Sequence, residues 1–588
     1  MKKVVLAGLS MMAIAISGFA QNITTVTQTG TSQTAVVGQN GDKQTSSINQ
    51  TGPTSGSATN FGNFALTQQG TPGSPNNGGP NSASINQTNG SQGNRAGIEQ
   101  GGGPGNTALI NQNGGPDGLS GGASSTGASI GGAAENGNFA GVKQLGSENQ
   151  GTVNQNNNSN RNNGEVRQFG TNNIGSVNQS NNSFGNTADV YQGFTAPDNY
   201  ATGTNSSTAT INQGRQNASD AGSYTAGAVT EAVNNTATIT QTADLNSAII
   251  NQGATTDVYG NPSAGRAEGS AATITQSAAS NNALIYQGTE SGESVGSTAT
   301  IEQTTSSNTA EIIQGLGQNS KDNASQAIIT QSGSGTAGIY QGQVGMSTSG
   351  TAVINQTATN SEAYVYQAFG GNSTSMNDKA TINQAGTNNF AQVVQNSATG
   401  LSGTANGSGN TATINQAATT SNSEALINQG RDAGGSAVDN TALIDQLNGD
   451  NNKALISQGR AVAITTASGE TMTGATSTGS SATITQSGDN NIGQLYQAGD
   501  LHTATLTQTG NTNVARLYQS GTNNDAAITQ TGDGNVLQGS ASGPVATQMG
   551  QDNTLIVNQN AGAMGNTANV AQSGMGNNIT INQSTVMP

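Results

Sequence analysis

Polar and apolar residues alternate along most of this 588-residue chain, in short segments that end in glutamine. Counting back from each such Gln, an aliphatic residue stands two positions earlier, Ala or Gly four earlier, and Asn or Ser six earlier. These positions share one parity, so in a β-strand they lie on the same side. The pattern predicts strands with one small, half-polar face, and about 37 such segments run from Asn22 to Gln583.

The spacing of the glutamines predicts how these strands are connected. Many successive Gln residues are eleven positions apart, as Gln486 and Gln497 are, which leaves about four residues for a turn such as "SGDN". Other gaps are longer and hold most of the Pro and charged residues, as in "GRAEG" and "KDN". From Gln241 onward, tight turns mostly alternate with long connections. Two strands and a tight turn therefore make one coil, and a variable loop leads to the next.

One coil of this kind is not stable alone, because ordering it costs more conformational entropy than its few buried aliphatic and Ala side chains can offset. Stacking coils about 4.8 Å apart pairs every strand with neighbours on both sides. We therefore predict an all-β array over residues 21–588. It is a single elongated β-solenoid of about 18 stacked strand–turn–strand coils, cross-β and amyloid-like, with irregular loops between the coils.

Stacking also places equivalent side chains in columns, and the inward-facing columns are called here the structural ladder. In such a column an amide can donate to one copy and accept from the next, which offsets the cost of burying it. In two of the predicted coils the ladder residues are Ser270, Ile274, Gln276, Asn281, Ala283 and Gln287, and Ser480, Ile484, Gln486, Asn491 and Gln497.

The opposite face of the strands is rich in Thr and Tyr. Thr236, Thr238 and Thr240 form a T-x-T-x-T row that resembles the face of an ice-binding β-solenoid, although Thr suits any exposed strand. Tyr recurs just before the Gln of the second strand, where we expect an outward ring. Two explanations stay open. Either the rings mediate lateral fibre packing or adhesion, or Tyr is present only because it favours β-strands. The tyrosines assigned to this outward surface are Tyr286, Tyr366, Tyr496 and Tyr518.

Residues 1–20 have a different composition from the rest of the chain. Lys2 and Lys3 precede an apolar run that ends in "SGFA", which is the pattern of a secretory signal peptide cleaved after Ala20. The run is too short for a membrane-spanning helix, and no later segment is apolar enough to span a bilayer. We expect a secreted bacterial protein without disulfides, because the chain contains no Cys.

Composition argues against catalysis and nucleic-acid binding. Charged residues make up 8% of the chain, and the net charge of −16 is spread without a basic cluster that could neutralise phosphates. The one His, His502, stands where Asn or Ser is usual, so it is interpreted as a ladder variant or a strand-edge residue. We predict no catalytic residue, metal or cofactor. The "GDGN" at 532–535 lacks the repeating pattern of calcium-binding β-rolls.

The repeat resembles that of the curlin subunits of bacterial curli fibres, S-x5-Q-x-G-x4-A-x3-Q, usually with Asn before the Ala. The resemblance implies a secreted structural subunit that stacks end to end into extracellular amyloid fibres for biofilm matrix and surface adhesion. It also implies export through the outer-membrane pore of a Gram-negative-type bacterium, with a nucleator subunit as partner. The matching residues are Ser480, Gln486, Gly488, Asn491 and Gln497, with Gly493 in the alanine place, and Ser270, Gln276, Asn281, Ala283 and Gln287, with Ala278 in place of the turn glycine.

The chain departs from the familiar curlins in length and at its start. Those proteins are shorter, with a handful of near-uniform repeats, and carry a non-repeat segment after the signal peptide, whereas the strand pattern here starts at Asn22. The chain is therefore interpreted as a large, many-repeat relative. Two other functions stay open on the residues alone: a monomeric β-solenoid adhesin, and an ice-binding protein that uses the outward Thr rows.

Overall fold

The computed structural model describes residues 22–30, 33–41, 43–51, 63–70, 80–88, 93–113, 137–156, 161–180, 183–196, 199–200, 203–214, 231–253, 265–289, 292–317, 320–370, 373–397, 405–432, 434–459, 464–465, 471–472, 476–539, 543–562 and 565–584. The predicted signal peptide, residues 1–20, lies outside these ranges. No helix among the described residues is long and apolar enough to cross a membrane.

Two long sheets of parallel strands face each other across the core, which confirms the predicted all-β solenoid. Each strand pairs with the equivalent strand of the next coil, in a register that keeps equivalent residues side by side. Gln241 is beside Gln276, which is beside Gln303. Because alternate side chains point to opposite faces, this register turns the period-2 sequence pattern into continuous inward columns.

Each sheet has nineteen levels within the described residues, two of which are split in the first sheet. The first sheet contains Ile23–Thr29, Thr45–Thr51, Ser82–Thr88, Thr107–Asn113, Gln150–Asn156, Ile174–Ser180, Thr208–Gly214, Ser247–Gln252, Asn282–Thr289, Thr309–Leu316, Gly335–Gln341, Ser361–Gln367, Phe390–Gln395, Glu424–Gln429, Lys453–Gln458, Ile492–Asp500, Val514–Thr522, Val536–Gln538 with Ala546–Gln551, and Thr567–Asn569 with Ala571–Met575. The second sheet contains Thr34–Gln39, Phe64–Gln69, Arg95–Gly102, Phe139–Ser147, Asn163–Thr171, Thr187–Gln192, Thr236–Gln241, Ala271–Gln276, Thr298–Gln303, Gln326–Gln331, Thr351–Gln356, Lys379–Gln384, Thr411–Gln416, Thr441–Asp450, Ser481–Ser487, Thr503–Thr509, Asp525–Thr531, Thr554–Asn560 and Asn578–Ser584.

Some connections that the sequence analysis interpreted as loops form a third column of short strands. "GRAEG" and "KDN" contribute Arg266–Glu268 and Lys321–Asn323 to it. The middle residue of such a strand points inward, and Ser294, Asp322 and Ser347 are fully buried there. The third column contains Ser183–Phe184, Glu231–Val233, Arg266–Glu268, Glu293–Val295, Lys321–Asn323, Met346–Thr348, Thr374–Met376, Asn406–Ser408, Ser436–Val438 and Thr476–Thr478.

Four further pieces decorate the turns and connections. They are Thr204–Asn205, which pairs with Gly170 and Thr171, Thr420–Ser421, which pairs with Gly449 and Asp450, and the two small hairpins Phe194–Ala196 with Asn199–Tyr200 and Ile464–Thr465 with Thr471–Met472.

Opposite charges are stacked on the outer side of the third column. In neighbouring coils Arg266 pairs with Glu293, and Glu293 pairs with Lys321. Arg266 forms ion pairs with Glu293 and with Glu268 of its own strand. The Nζ of Lys321 lies 3.1 Å from the Oε2 of Glu293. A parallel in-register stack of identical strands would place like charges together, whereas these non-identical coils place opposite charges together.

The third column ends at Thr476–Thr478, which pairs with the last residues of Ile492–Asp500. From Ser480 to Gln530 the coils have tight turns on both sides. The "SGDN" turn illustrates them: Asn490 has φ of 56° and Gly488 has φ of 102°. A Cβ at Gly488 would lie 2.2 Å from a backbone oxygen of the equivalent turn in the next coil, so this close-packed turn requires glycine.

Candidate functional site

The last Gln of each long strand points into the core, where it forms one column per sheet. Gln276 is representative: its Nε2 donates to the Oε1 of Gln303 at 2.9 Å and to the backbone oxygen of Ser247 at 3.1 Å. An amide nitrogen carries two hydrogens. One of them continues the column into the next coil, and the other ties the second sheet to the first.

These columns are continuous over almost the whole solenoid, with Nε2–Oε1 distances of 2.7–3.0 Å. In the second sheet the bonds join, in order, Gln39, Gln69, Gln100, Gln144, Gln168, Gln192, Gln241, Gln276, Gln303, Gln331, Gln356, Gln384, Gln416, Gln446, Gln486, Gln508, Gln530, Gln559 and Gln583. In the first sheet they join Gln28, Gln50, Gln87, Gln112, Gln155, Gln179, Gln213, Gln252, Gln287, Gln314, Gln341, Gln367, Gln395, Gln429, Gln458, Gln497, Gln519 and Gln548.

All of these bonds have the same direction along the solenoid. The Nε2 of one coil donates to the Oε1 of the coil that follows it in the chain, as from Gln486 to Gln508 and from Gln508 to Gln530. Each column therefore has an acceptor end at the first coil. The second-sheet column has its donor end at Gln583 in the last coil, whereas the first-sheet column ends one coil earlier, at Gln548.

A second polar column begins each long strand and satisfies backbone groups. The backbone N–H of Asn281 donates to the Oδ1 of Asn246 at 3.0 Å, and the Oδ1 of Asn281 accepts from the backbone N–H of Asn308 at 2.9 Å. The Nδ2 of Asn281 donates to the backbone oxygen of Ala278, three residues upstream, at 2.7 Å. Where Ser takes the place of Asn, the column has fewer of these hydrogen bonds, because the Ser side chain is shorter.

The predicted ladder residues all lie in these columns and in the aliphatic and Ala columns between them. They are buried, with no more than 2% of any of them exposed: Ser270, Ile274, Gln276, Asn281, Ala283, Gln287, Ser480, Ile484, Gln486, Asn491 and Gln497. Gly493 occupies an Ala position where a Cβ would lie 2.8 Å from the Cδ2 of Leu506, so the glycine leaves room for this leucine.

The residues assigned to the outward surface differ in exposure. Thr236 is exposed, and Thr238 and Thr240 are half-buried. Half-buried rings are also found at Tyr286, Tyr366 and Tyr496.

Tyr518 is more enclosed than these three rings, because only 5% of it is exposed. It points away from the core, as parity requires, but it packs with Ala498 and Val545 in a small separate cluster, and Tyr496 and Met549 pack against that cluster. Tyr518 therefore keeps the outward direction assigned to it, while packing against Ala498 and Val545 leaves little of the ring exposed.

His502 reproduces the hydrogen bonds of the Asn column. Its Nδ1 accepts from the backbone N–H of Asn524 at 3.2 Å, and its Nε2 is 3.0 Å from the backbone oxygen of Ala498. Asn524 makes the equivalent contact, with its Nδ2 donating to the backbone oxygen of Ser520. These partners require a neutral ring with the proton on Nε2. Burial lowers the pKa of His502, against the opposing effects of the Ala498 carbonyl and Asp500.

The substitution His502→Asn is expected to make the solenoid less sensitive to mild acid. Because the folded-state pKa of His502 is below the ordinary value of about 6.5, its neutral form contributes stability that is complete above pH 6.5 and is lost as the pH falls through the folded pKa. The difference in guanidinium unfolding midpoint between variant and wild type, followed by circular dichroism, should grow in favour of the variant from pH 7.5 to pH 5. A constant difference would contradict this assignment.

Two buried carboxyl groups near the third column were not predicted from the sequence. Burial raises the pKa of Asp322 to about 7, although the Ser297 hydroxyl, which donates to its Oδ2 at 2.5 Å, acts in the opposite direction. Burial also raises the pKa of Asp378, opposed first by the Ser375 hydroxyl and then by the amides of Asn410 and Asn396. In a sequence, charged residues within long connections indicate exposed loops. The burial of Asp322 and Asp378 therefore becomes visible only once the third column is known.

The substitution Asp322→Asn is expected to stabilise the protein at neutral pH. Because the folded-state pKa of about 7 is above the ordinary value of about 3.9, the wild type loses stability as the pH rises from 4 through 7. An Asn cannot ionise, so the variant should match the wild type near pH 4 and exceed it by roughly 2–4 kcal/mol above pH 7. Thermal unfolding followed by calorimetry at both pH values measures this difference. Equal stability of the two proteins above pH 7 would contradict it.

The described residues offer no metal centre: no three or more His, Asp or Glu side chains among them come together as a metal site. What the arrangement provides is a repeated surface of backbone and amide groups that another strand of the same kind can extend. Stacked in-register strands with continuous amide columns define a structural, amyloid-type β-solenoid.

Comparison with known proteins finds a similarity to a repeat family over part of the chain. The family model described as the curlin-associated repeat matches residues 478–510 and 510–537. Over these residues the chain is similar to curlin-associated repeats, which supports a curlin-repeat relative. The matched residues lie in the coils with tight turns on both sides, where the spacing of eleven residues is undisturbed by the third column. No curated protein matches the chain.

Proposed function

We propose that this protein is a secreted structural subunit that stacks end to end into extracellular curli-like amyloid fibres. The observation that supports the proposal is the pair of open ends. Both sheets begin and end with a strand that has no partner on one side within the described residues. Unpaired strand edges with apolar side chains are sites of strand addition.

At the C-terminal end, Asn578–Ser584 presents its inward residues to the open side. Ile579 and Ile581 are only partly buried although they pack against the core. Gln583 is the last member of its column, and its Nε2 donates to the backbone oxygen of Thr567. The second hydrogen on this Nε2 can be donated to the side-chain oxygen of a Gln in a following copy.

At the N-terminal end, Ile23–Thr29 is exposed along its whole length. Val26, which stands in the aliphatic column two residues before Gln28, is 44% exposed, whereas the equivalent Ile48 of the next coil is buried. Gln28 starts one column and Gln39 the other, and both donate towards the coils that follow. Their side-chain oxygens therefore point to the side where a preceding copy would lie. In an end-to-end stack they would face the donor end of that copy.

The two ends also match in topology. The first coil consists of a first-sheet strand followed by a second-sheet strand, and the last coil has the same order. A second copy placed after Gln583 would continue both sheets without a gap in either one. End-to-end stacking of this kind is heterologous and does not close, so it generates a filament.

The proposed biological setting rests on the family and on the sequence. Residues 1–20 serve as the signal peptide, and residues 21–588 form one repeat array. The subunit is exported through an outer-membrane pore of a Gram-negative-type bacterium, assembles with the help of a nucleator subunit, and contributes to biofilm matrix and surface adhesion. We assign it no catalytic role and no nucleic-acid partner.

Electron microscopy and fibre diffraction of the purified chain without residues 1–20 test the proposal. The expected result is unbranched fibres that lengthen with time and give a reflection near 4.8 Å along the fibre axis. A protein that stays monomeric and attaches to surfaces would instead support the adhesin. Thr503, Thr505 and Thr507 form a second outward T-x-T-x-T row. Thermal hysteresis that is abolished by Thr505→Lys would support ice binding through the Thr rows. Either of these last two results without fibres would reject the proposal.

A further inference from the structure

Two tyrosines on neighbouring coils form a stacked pair on the outer face of the first sheet. Tyr340 and Tyr366 are paired in register, with ring centroids 4.9 Å apart and planes inclined by only 7°. Phe369 packs edge-on against both rings, at 6.4 and 5.2 Å. Gly338 leaves space for them, because a Cβ there would lie 2.8 Å from a carbon of the Tyr340 ring. The pair is therefore held in a defined geometry.

A carboxylate accepts the phenolic proton of one member of the pair. The Tyr340 hydroxyl donates to the Oε2 of Glu311, in the preceding coil, at 2.8 Å. Burial, and then the negative charge of Glu311, raise the pKa of Tyr340. Burial and Glu311 also raise the pKa of Tyr366. Both rings are thus neutral phenols at physiological pH, and a one-electron oxidation of Tyr340 has a proton acceptor within hydrogen-bond distance.

We propose that Tyr340 and Tyr366 are a modification site at which a one-electron oxidant, such as a haem peroxidase acting with hydrogen peroxide, joins the two rings as dityrosine. Each phenol loses one electron and its hydroxyl proton, and the Tyr340 proton passes to Glu311. The two radicals form a carbon–carbon bond between ring positions ortho to the oxygens. The two ortho hydrogens then leave as protons while the hydroxyl groups are regained, and hydrogen peroxide is reduced to two waters.

The bond would link two successive coils of one chain covalently. Radical coupling depends on how often the two rings meet, and stacking in register keeps them in contact continuously. Both rings are half-buried, so their edges remain accessible from the solvent. The site lies within one solenoid and does not depend on fibre formation.

Peptide mapping of the full-length chain in dilute solution, treated with peroxidase and hydrogen peroxide, tests the proposal. A protease that cuts after Glu separates Tyr340, in fragment 312–362, from Tyr366, in fragment 363–424. The expected product is these two fragments joined, with a mass lower by two hydrogens than their sum. Its yield should be independent of protein concentration. A yield that rises with concentration would show coupling between molecules and would overturn the proposal.

Variants identify the participating rings. Tyr366→Phe should reduce the joined product at least tenfold, whereas Tyr364→Phe, in the same fragment, and Tyr496→Phe, in a distant coil, should leave it unchanged. Loss of the product in Tyr364→Phe, or its persistence in Tyr366→Phe, would overturn the assignment. Glu311→Gln keeps a hydrogen-bond acceptor but is a much weaker base, so the initial rate of coupling at pH 7 should fall several-fold. An unchanged rate would exclude Glu311 as the proton acceptor.

Discussion

Lysine in place of Ile581 is expected to stop fibre growth at the C-terminal end of the solenoid while leaving the chain folded. Ile581 lies in the last strand and is only partly buried in the single chain, where the Lys stem can reach solvent. In a fibre the next copy would cover this position and enclose the charge, which costs several kcal/mol without a partner. Seeded elongation, followed by an amyloid dye and by electron microscopy, should slow at least tenfold.

The neighbouring Thr580 provides a matched control for that substitution. Thr580 is exposed on the outer face of the same strand, where a following copy would leave it in solvent. Thr580→Lys introduces the same charge at the same end and should elongate at close to the wild-type rate. If both variants elongate normally, the C-terminal edge is not a stacking surface. If both stop, charge rather than core continuity is responsible.

Glutamate in place of Gln530 is expected to open the solenoid locally at neutral pH. The side chain of Gln530 accepts from Gln508 at 2.8 Å, and its Nε2 donates to Gln559 at 2.8 Å and to the backbone oxygen of Val514 at 3.1 Å. A carboxylate keeps the acceptor but loses both donors, and it places an unpaired charge in a fully buried position. The cost should be about 3–5 kcal/mol. Hydrogen exchange of the amides in 503–509, 525–531 and 554–560 should accelerate strongly.

Thr529→Glu is the control for this second change, because Thr529 is the preceding residue of the same strand and faces solvent beside Thr507 and Asn558. Its exchange rates should stay close to those of the wild type. Acidification should partly restore Gln530→Glu, since a protonated carboxyl group can donate one hydrogen bond again. Equal protection of the two variants would mean that the Gln column contributes little to holding the coils together.

The two main sheets were predictable because their information is local and repeated. Parity alone placed Ile274, Gln276 and Asn281 inside, and the eleven-residue spacing indicated which strands share a coil. In-register stacking then follows, since only that register puts every buried amide beside another one. His502 also followed from position, although its mimicry of Asn required the distances to Asn524 and Ala498.

The third column could not be predicted in this way. Its strands have two or three residues, and at most one of them is buried, so no alternation is long enough to detect. The middle residue also varies in chemistry, from Ser294 to Asp322, because the Ser294 hydroxyl and the Oδ2 of Asp322 each form a hydrogen bond there with a neighbouring hydroxyl. The burial of Tyr518 was missed for another reason: Val545, which contacts it, is distant in sequence, and parity describes only the direction of a side chain.

The stacked charges of the third column have a consequence for how the chain finds its order. Coils with the same inward residues are nearly interchangeable. During folding a coil could therefore pair with the coil after next, and the Gln columns would still be continuous. Omitting the coil that carries Glu293 would bring Arg266 against Lys321, and the error would be penalised by repulsion instead of rewarded by two ion pairs. Each such pair is weak at the surface. Their alternation nevertheless favours the native order of these three coils, which a stack of identical repeats cannot do.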